Sequence, residues 1–218
     1  MKNLFLLIVT FLFTIPAFSQ KLGRPFLQNY PPKVYKAQSQ NWSVIQDERG
    51  VMYFANTSCV LEYDGEFWRE IELPNQAVGR ALAKSKNGVV YVGSQASFGY
   101  LAPDSLGKMQ YVPLEGNLPK EHQKFNDVWK VHVTDEGIYF MTDYKLYRMK
   151  PSGEFDRLWV PKGKSFFLSY LVDDELYVYE SGLGPMKLID NEFQLLEGAK
   201  NLAQTPIYGI VPFANRKL

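Results

Sequence analysis

Two acidic runs are the residues best equipped for chemistry, since a facing pair of carboxylates is what glycoside hydrolysis requires. Asp47-Glu48 and Asp173-Asp174-Glu175 supply the side chains, but each run sits among turn-forming residues, where acids bond to the local backbone. His122 and His132 are the chain's two histidines and lie ten positions apart, without the i, i+4 spacing that puts two ligands on one helix face. Cys59 stands alone, which excludes a disulfide framework and a cysteine-rich zinc site, and it reads as a packed small hydrophobe. No serine lies in a G-x-S-x-G setting, and no glycine-rich strand-to-helix loop offers a phosphate cradle. The chain is therefore read as non-catalytic, with neither metal nor cofactor.

Charge narrows the partners. The 218 residues carry 24 Lys and Arg against 23 Asp and Glu, so there is no basic excess to neutralise phosphates and direct nucleic-acid binding is not expected. With 46% hydrophobic and 15% aromatic residues the chain can build a core. At its start, Lys2 precedes an apolar run from Leu4 to Ile15, then Pro16, Ala17 and Ser19. This pattern reads as a signal peptide over 1–19 that directs export, with cleavage before Gln20, and the run is too short to span a bilayer. Residues 20–41 read as an extended lead-in, in which Pro25, Pro31 and Pro32 oppose any regular element.

Beyond Trp42 the pattern is repetitive. An apolar-Tyr pair recurs at Met52-Tyr53, Val90-Tyr91, Ile138-Tyr139 and Leu176-Tyr177, intervals of 38, 48 and 38 residues. Three copies are preceded by a polar turn ending in Gly50, Gly88 or Gly137, and the fourth by Asp173-Asp174-Glu175. Seven residues after each anchor Tyr a further short apolar segment begins, followed by a second turn and a closing strand. Each copy thus holds four strands in about forty residues, the size of a propeller blade. The expectation is an all-β chain: a β-propeller of four-stranded antiparallel blades over 42–73, 79–114, 126–161 and 166–198. The first strand of a fifth blade is expected in 207–218, as in an incomplete propeller. Recurring Tyr, Trp and Phe are expected to pack one blade against the next. The ten extra residues of the second interval fall between Val112 and Asn126 and could border a ligand face.

Loops after the Tyr strands are where polar groups from several blades could converge on one ligand. The candidates there are Asn56, Gln95, Asp143, Tyr144 and Glu180, whose amides, carboxylates and phenol suit a glycan or another small polar molecule. Arg80, just beyond the first blade, could cap an anionic group or stand solvated. Asp104-Ser105-Leu106 falls in an expected turn and resembles the Asp-Ser/Thr-apolar motif of periplasmic O-glycosylation in Bacteroidota, which makes Ser105 a candidate modification site.

The stretch WSVIQDERGVMYFANTSCVLEYDGEFWREI resembles the two-component regulator propeller repeat, through Asp47, Gly50, Tyr53, Asn56, Leu61, Tyr63, Asp64, Gly65 and Trp68. Tyr53 and Asn56 stand where most copies carry Trp and Thr. The resemblance extends over about 24–218 to the opening blades of large Bacteroidota sensors. It implies a periplasmic ligand-sensing domain, followed in such proteins by a three-tyrosine β-sandwich, a membrane helix and a histidine kinase or helix-turn-helix output. On that reading the membrane is reached only through the downstream region, a homodimer forms through the full-length receptor, and the signal is a glycan or another envelope molecule. A secreted or surface propeller for protein or glycan adhesion is the second reading, and a propeller lyase or hydrolase the third.

Overall fold

The computed structural model describes residues 27–212, so the expected signal peptide and the residues from 213 onward lie outside the described residues. The chain divides into two units, Met1–Tyr30 and Pro31–Leu218. In the first, residues 27–30 carry no regular structure.

Among the described residues the second unit holds sixteen strands in four antiparallel sheets, each a simple up-and-down meander. Blade one contains β1 (Asn41–Gln46), β2 (Met52–Asn56), β3 (Val60–Tyr63) and β4 (Trp68–Ile71). Blade two contains β5 (Gly79–Lys84), β6 (Val90–Ser94), β7 (Ser97–Pro103) and β8 (Met109–Pro113). Blade three follows with β9 (Lys130–Val133), β10 (Ile138–Met141), β11 (Leu146–Met149) and β12 (Phe155–Trp159). Blade four is β13 (Phe166–Val172), β14 (Glu175–Glu180), β15 (Gly184–Ile189) and β16 (Glu192–Leu195). The first strands lie side by side, β5 against β1 and β9, and β13 against β9, which is the arrangement of propeller blades about an axis.

The expected turns form for the expected reasons. Gly50 and Gly88 adopt φ of 86° and 84°, and Asp47 Oδ1 and Ser85 Oγ accept from the amides of Val51 and Val89. Blade four replaces glycine with Asp173 and Asp174 at φ of 51° and 62°, the left-handed pair that a two-residue hairpin demands. The acidic runs are thus occupied in shaping turns.

Aromatic repetition packs the blades. Tyr53, Val60, Ile71 and Leu73 of blade one meet Val90, Val92 and Leu101 of blade two. Phe98 of blade two stacks on Phe140 of blade three at 4.4 Å, and Tyr139, Met141 and Leu146 of blade three meet Phe166, Leu176 and Val178 of blade four. Each buried side chain of this size removes enough apolar surface from water to stabilise the stack by about 1.5–3 kcal/mol.

Two expectations need correction. The lead-in is not wholly extended: Pro32–Tyr35 form a one-turn helix, α1, with Pro32 at its first position, where a proline's missing N–H costs nothing. Buried Tyr35 places its ring 5.4 Å from that of Trp68, so α1 covers part of the outer face of blade one. At the other end, residues 207–212 form no strand, and the rest of the expected fifth-blade strand falls outside the described residues. The segment nonetheless leans on β13, where a next first strand would lie: the Tyr170 hydroxyl donates to the Ile207 carbonyl, and the Tyr208 ring meets Phe167 edge-on at 5.3 Å.

Candidate functional site

A meander sorts its connections between two ends. The turns joining first to second and third to fourth strands lie at one end, here the turn end. The second-to-third connections and the links between blades lie at the other, the loop end. All of the candidate ligand residues belong to the loop end, and Ser105 is exposed in the β7–β8 turn at the opposite end.

The structure brings three candidates together. A cleft of about 400 Å³ at the loop end is lined by Asn75, Gln95, Glu115, Asn126, Asp127 and Asp143, among others. A neighbouring cleft of about 490 Å³ shares Ala96, Phe125, Asn126 and Asp143 with it and adds Tyr144, Lys124 and Lys145. The walls are built by the long connection into blade three. It docks against β6 because Gly93 has no side chain: a Cβ there would lie 2.7 Å from Val128 Cγ1 and 2.9 Å from the Val128 carbonyl oxygen. Val128 N then donates to the Ser94 carbonyl, and Gln95 forms an isolated antiparallel bridge with Asp127. Phe125 stacks on Phe98 at 5.1 Å and anchors the same connection in the core. Asn75 and Ala96, both on the cleft wall, hold left-handed φ of 54° and 56°, a conformation that costs a non-glycine residue about 1 kcal/mol or more.

Asp143 is half-buried, and burial pushes its carboxyl above the usual range; a hydrogen bond from the Trp129 side chain opposes that shift and the charge of Asp127 adds to it. Glu115 accepts from Ser97 Oγ through Oε1 at 3.0 Å, while its buried Oε2 has no partner. Tyr144 is 58% exposed at the outer edge.

Three other candidates are placed differently. Arg80 is not solvated: its side chain is 13% exposed, and Nε donates to Asp127 Oδ1 at 2.7 Å. Its guanidinium lies 4.2 Å from the Trp42 ring centroid and 4.6 Å from that of Trp129. Asn56 is fully buried and spends its amide on the Gln38 carbonyl and Asn41 Oδ1, while its own oxygen accepts from Ser58 N. Glu180 is buried and accepts from the Gly163 amide. Both side chains tie loop to strand and are not directed at the cleft residues.

Sequence reasoning passed over Trp42, Trp129 and Asp127. A signal was present, because Trp42, Arg80 and Phe167 each occupy the bulge position of their blade's first strand, between Asn41 and Ser43, Gly79 and Ala81, and Phe166 and Leu168. Trp129 takes the equivalent place just before β9, its amide bonded to the Met141 carbonyl. Flat side chains at one register in successive blades gather at one place: the Trp42 and Trp129 rings meet edge-on at 6.2 Å, and the Arg80 guanidinium packs against both. Among the described residues no group of three or more His, Cys, Asp or Glu is arranged to hold a metal ion, and no helix is long and apolar enough to cross a membrane.

Neither a family model nor a curated protein matches the chain. Solved structures do. A catalytically inactive virginiamycin B lyase from Staphylococcus aureus, solved with quinupristin, aligns with a TM-score of 0.56 at 15% identity over 72% of this chain and 55% of that one. The extracellular domain of a hybrid two component system from B. thetaiotaomicron aligns with a TM-score of 0.56 at 16% identity, over 77% of this chain and 26% of that one. The extracellular domain of a one component system from the same organism gives 0.53 at 14% identity, over 72% and 22%. The chain therefore spans about half the length of the lyase and about a quarter of either extracellular domain. At these identities the likeness establishes the fold, a run of propeller blades, and it is shared by an enzyme and by extracellular domains of signalling systems alike.

Proposed function

We propose that this chain is the non-catalytic, ligand-sensing propeller portion of an exported signalling protein, and that it holds a small polar molecule of glycan or other envelope origin in the loop-end cleft. The observation that carries the reading is the convergence of Gln95, Asn126, Asp127 and Asp143, from two blades and the connection between them, on one cleft of about 400 Å³. A fixed wall of amides and carboxylates can order a polar ligand without supplying a nucleophile. The fold-level likeness to extracellular domains of two component and one component systems supports a sensing role and an exported location. Relay of the signal would fall to an output module beyond this sequence.

Thermal unfolding of the mature chain against a panel of envelope glycans and their component sugars tests the reading, since a ligand that binds only the native state raises the midpoint with its concentration. The expected result is a saturable rise that the double variant Gln95→Ala, Asp143→Ala loses while keeping its circular dichroism. A rise that survives this variant, or product formation in the same incubations, would overturn it.

A further inference from the structure

Resting on that reading, we infer that the free face of Trp42 is a stacking platform at the axis of the blades, and that the ligand laid on it is a neutral sugar ring. The position follows from what meets there. Trp42 belongs to blade one and Trp129 to the entry of blade three, yet their rings lie 6.2 Å apart. Blade two stands between those blades, so the contact forms where the first strands converge.

Blade packing accounts for the other recurring aromatics and not for this one. Tyr53, Phe98 and Tyr139, which fill the gaps between blades, are at most 2% exposed, whereas Trp42 is 41% exposed. Its pose is fixed all the same: Nε1 donates to Thr57 Oγ1 at 3.2 Å, Trp129 meets it edge-on, and the Arg80 guanidinium lies over one face at 4.2 Å. The opposite face is offered to a ligand without the cost of ordering the side chain first.

Charge narrows the ligand. Arg80 already sits on the π cloud, so a second cation on the opposite face would meet a like charge across the ring. Asp127 neutralises Arg80, which leaves an anion no net attraction. A pyranose ring offers instead a face of weakly polarised C–H bonds for the indole and a rim of hydroxyls for amides and carboxylates. Partners for the rim are at hand, because the aromatic cluster and the loop-end cleft share a wall. Arg80 donates to Asp127 and the Trp129 side chain to Asp143, and both carboxylates line that cleft.

Cellobiose and lactose, titrated into the 15N-labelled mature chain beside the open-chain polyol sorbitol, test this. Sorbitol carries comparable hydroxyls but no ring face. At least one disaccharide should shift the Trp42 indole N–H saturably while sorbitol does not. Trp42→Leu should weaken that disaccharide about tenfold or more, and Trp42→Phe, which keeps a flat ring, should recover most of the loss. Sorbitol binding as well as the disaccharides, or a Trp42→Leu protein whose affinity is unchanged at the amides of Gln95, Asn126 and Asp143, would overturn the platform and leave the cleft as the binding site. No shift at the Trp42 indole with either disaccharide would also overturn it, while the cleft itself stands or falls separately, on the Gln95→Ala, Asp143→Ala comparison with the full glycan panel.

Discussion

The two ends of the blades follow different rules. At the turn end, equivalent positions carry equivalent chemistry: an Asp, Ser or Thr bonds back to the amides ahead of it, and a glycine or an Asp pair takes the left-handed step. At the loop end repetition breaks down. The connections differ in length, three-residue 3-10 turns appear at Pro74–Gln76, Glu115–Asn117 and Lys120–His122, and polar residues from different blades face one cleft. Repetition builds the blades, and departure from repetition builds the site. That contrast gives three ways to test which residues matter, beginning with the one that should cost most.

Arg80→Ala removes a guanidinium that links three blades: Trp42 from the first, Arg80 itself from the second, and Asp127 with Trp129 at the entry to the third. Its partner Asp127 is only 18% exposed and would be left as an uncompensated carboxylate, while the edge-on pair of indoles loses the cation packed against both rings. Breaking a pair at this depth costs about 3–4 kcal/mol. Arg80→Lys keeps the charge but not the planar contact with the two rings, and should recover no more than about half of that loss. Urea unfolding of the three proteins measures both, and a loss below about 1 kcal/mol for the alanine variant would reduce the clamp to an ordinary surface pair.

The second test lies between the two ends. His132 on β9 meets Ser169 Oγ on β13 at 2.8 Å, across the junction of blades three and four. Burial, assisted by the charge of Lys130, lowers its pKa to about 4 from 6.5. Since the unfolded chain takes up the proton first, the contribution of neutral His132 is fully present above about pH 6.5. It is lost progressively as pH falls towards about 4, by about 3 kcal/mol in all. Asp143, whose carboxyl is raised, works in the opposite sense at the low end of the range. The difference between the parent and His132→Gln therefore isolates the histidine: the parent should weaken more steeply over pH 6.5 to 4, and parallel curves would show that His132 is not held neutral by the fold.

How much of this was legible in the sequence follows the same division. The four blades could be read from Tyr53, Tyr91, Tyr139 and Tyr177 because each β meander repeats the same chemistry in the same order, and turn residues announce themselves through their backbone needs. Gln95, Asp143 and Tyr144 could be named because they follow directly on those strands. Asn56 and Glu180 occupy equivalent loops, yet position alone does not say whether an amide or carboxylate turns outward or bonds to its own backbone. Arg80 was harder, since its surroundings come from residues 38 positions before it and 47 and 49 after it. Short α1 was missed because prolines were read as breakers, although at the first helical position a proline fits.

The smallest effect is expected where the turn end most resembles the loop end on paper. Lys86 pairs with Asp135 across the second and third blades, just as Arg80 pairs with Asp127, and a simple count of ion pairs would rank the two alike. Their surroundings differ. Both Lys86 and Asp135 are more than three-quarters exposed, at 78% and 76%, so water and salt screen the pair and two long side chains must be ordered to make it. Hydrogen bonding to Asp135 raises the Lys86 pKa, so the matching stabilisation is present at neutral pH and lost only as pH rises past the ordinary lysine range, but at this exposure solvent screens it to little. Lys86→Ala should leave the unfolding midpoint unchanged and any ligand response intact. A destabilisation approaching that of Arg80→Ala would mean that charge pairing as such, and not the packed cluster at the loop end, holds neighbouring blades in register.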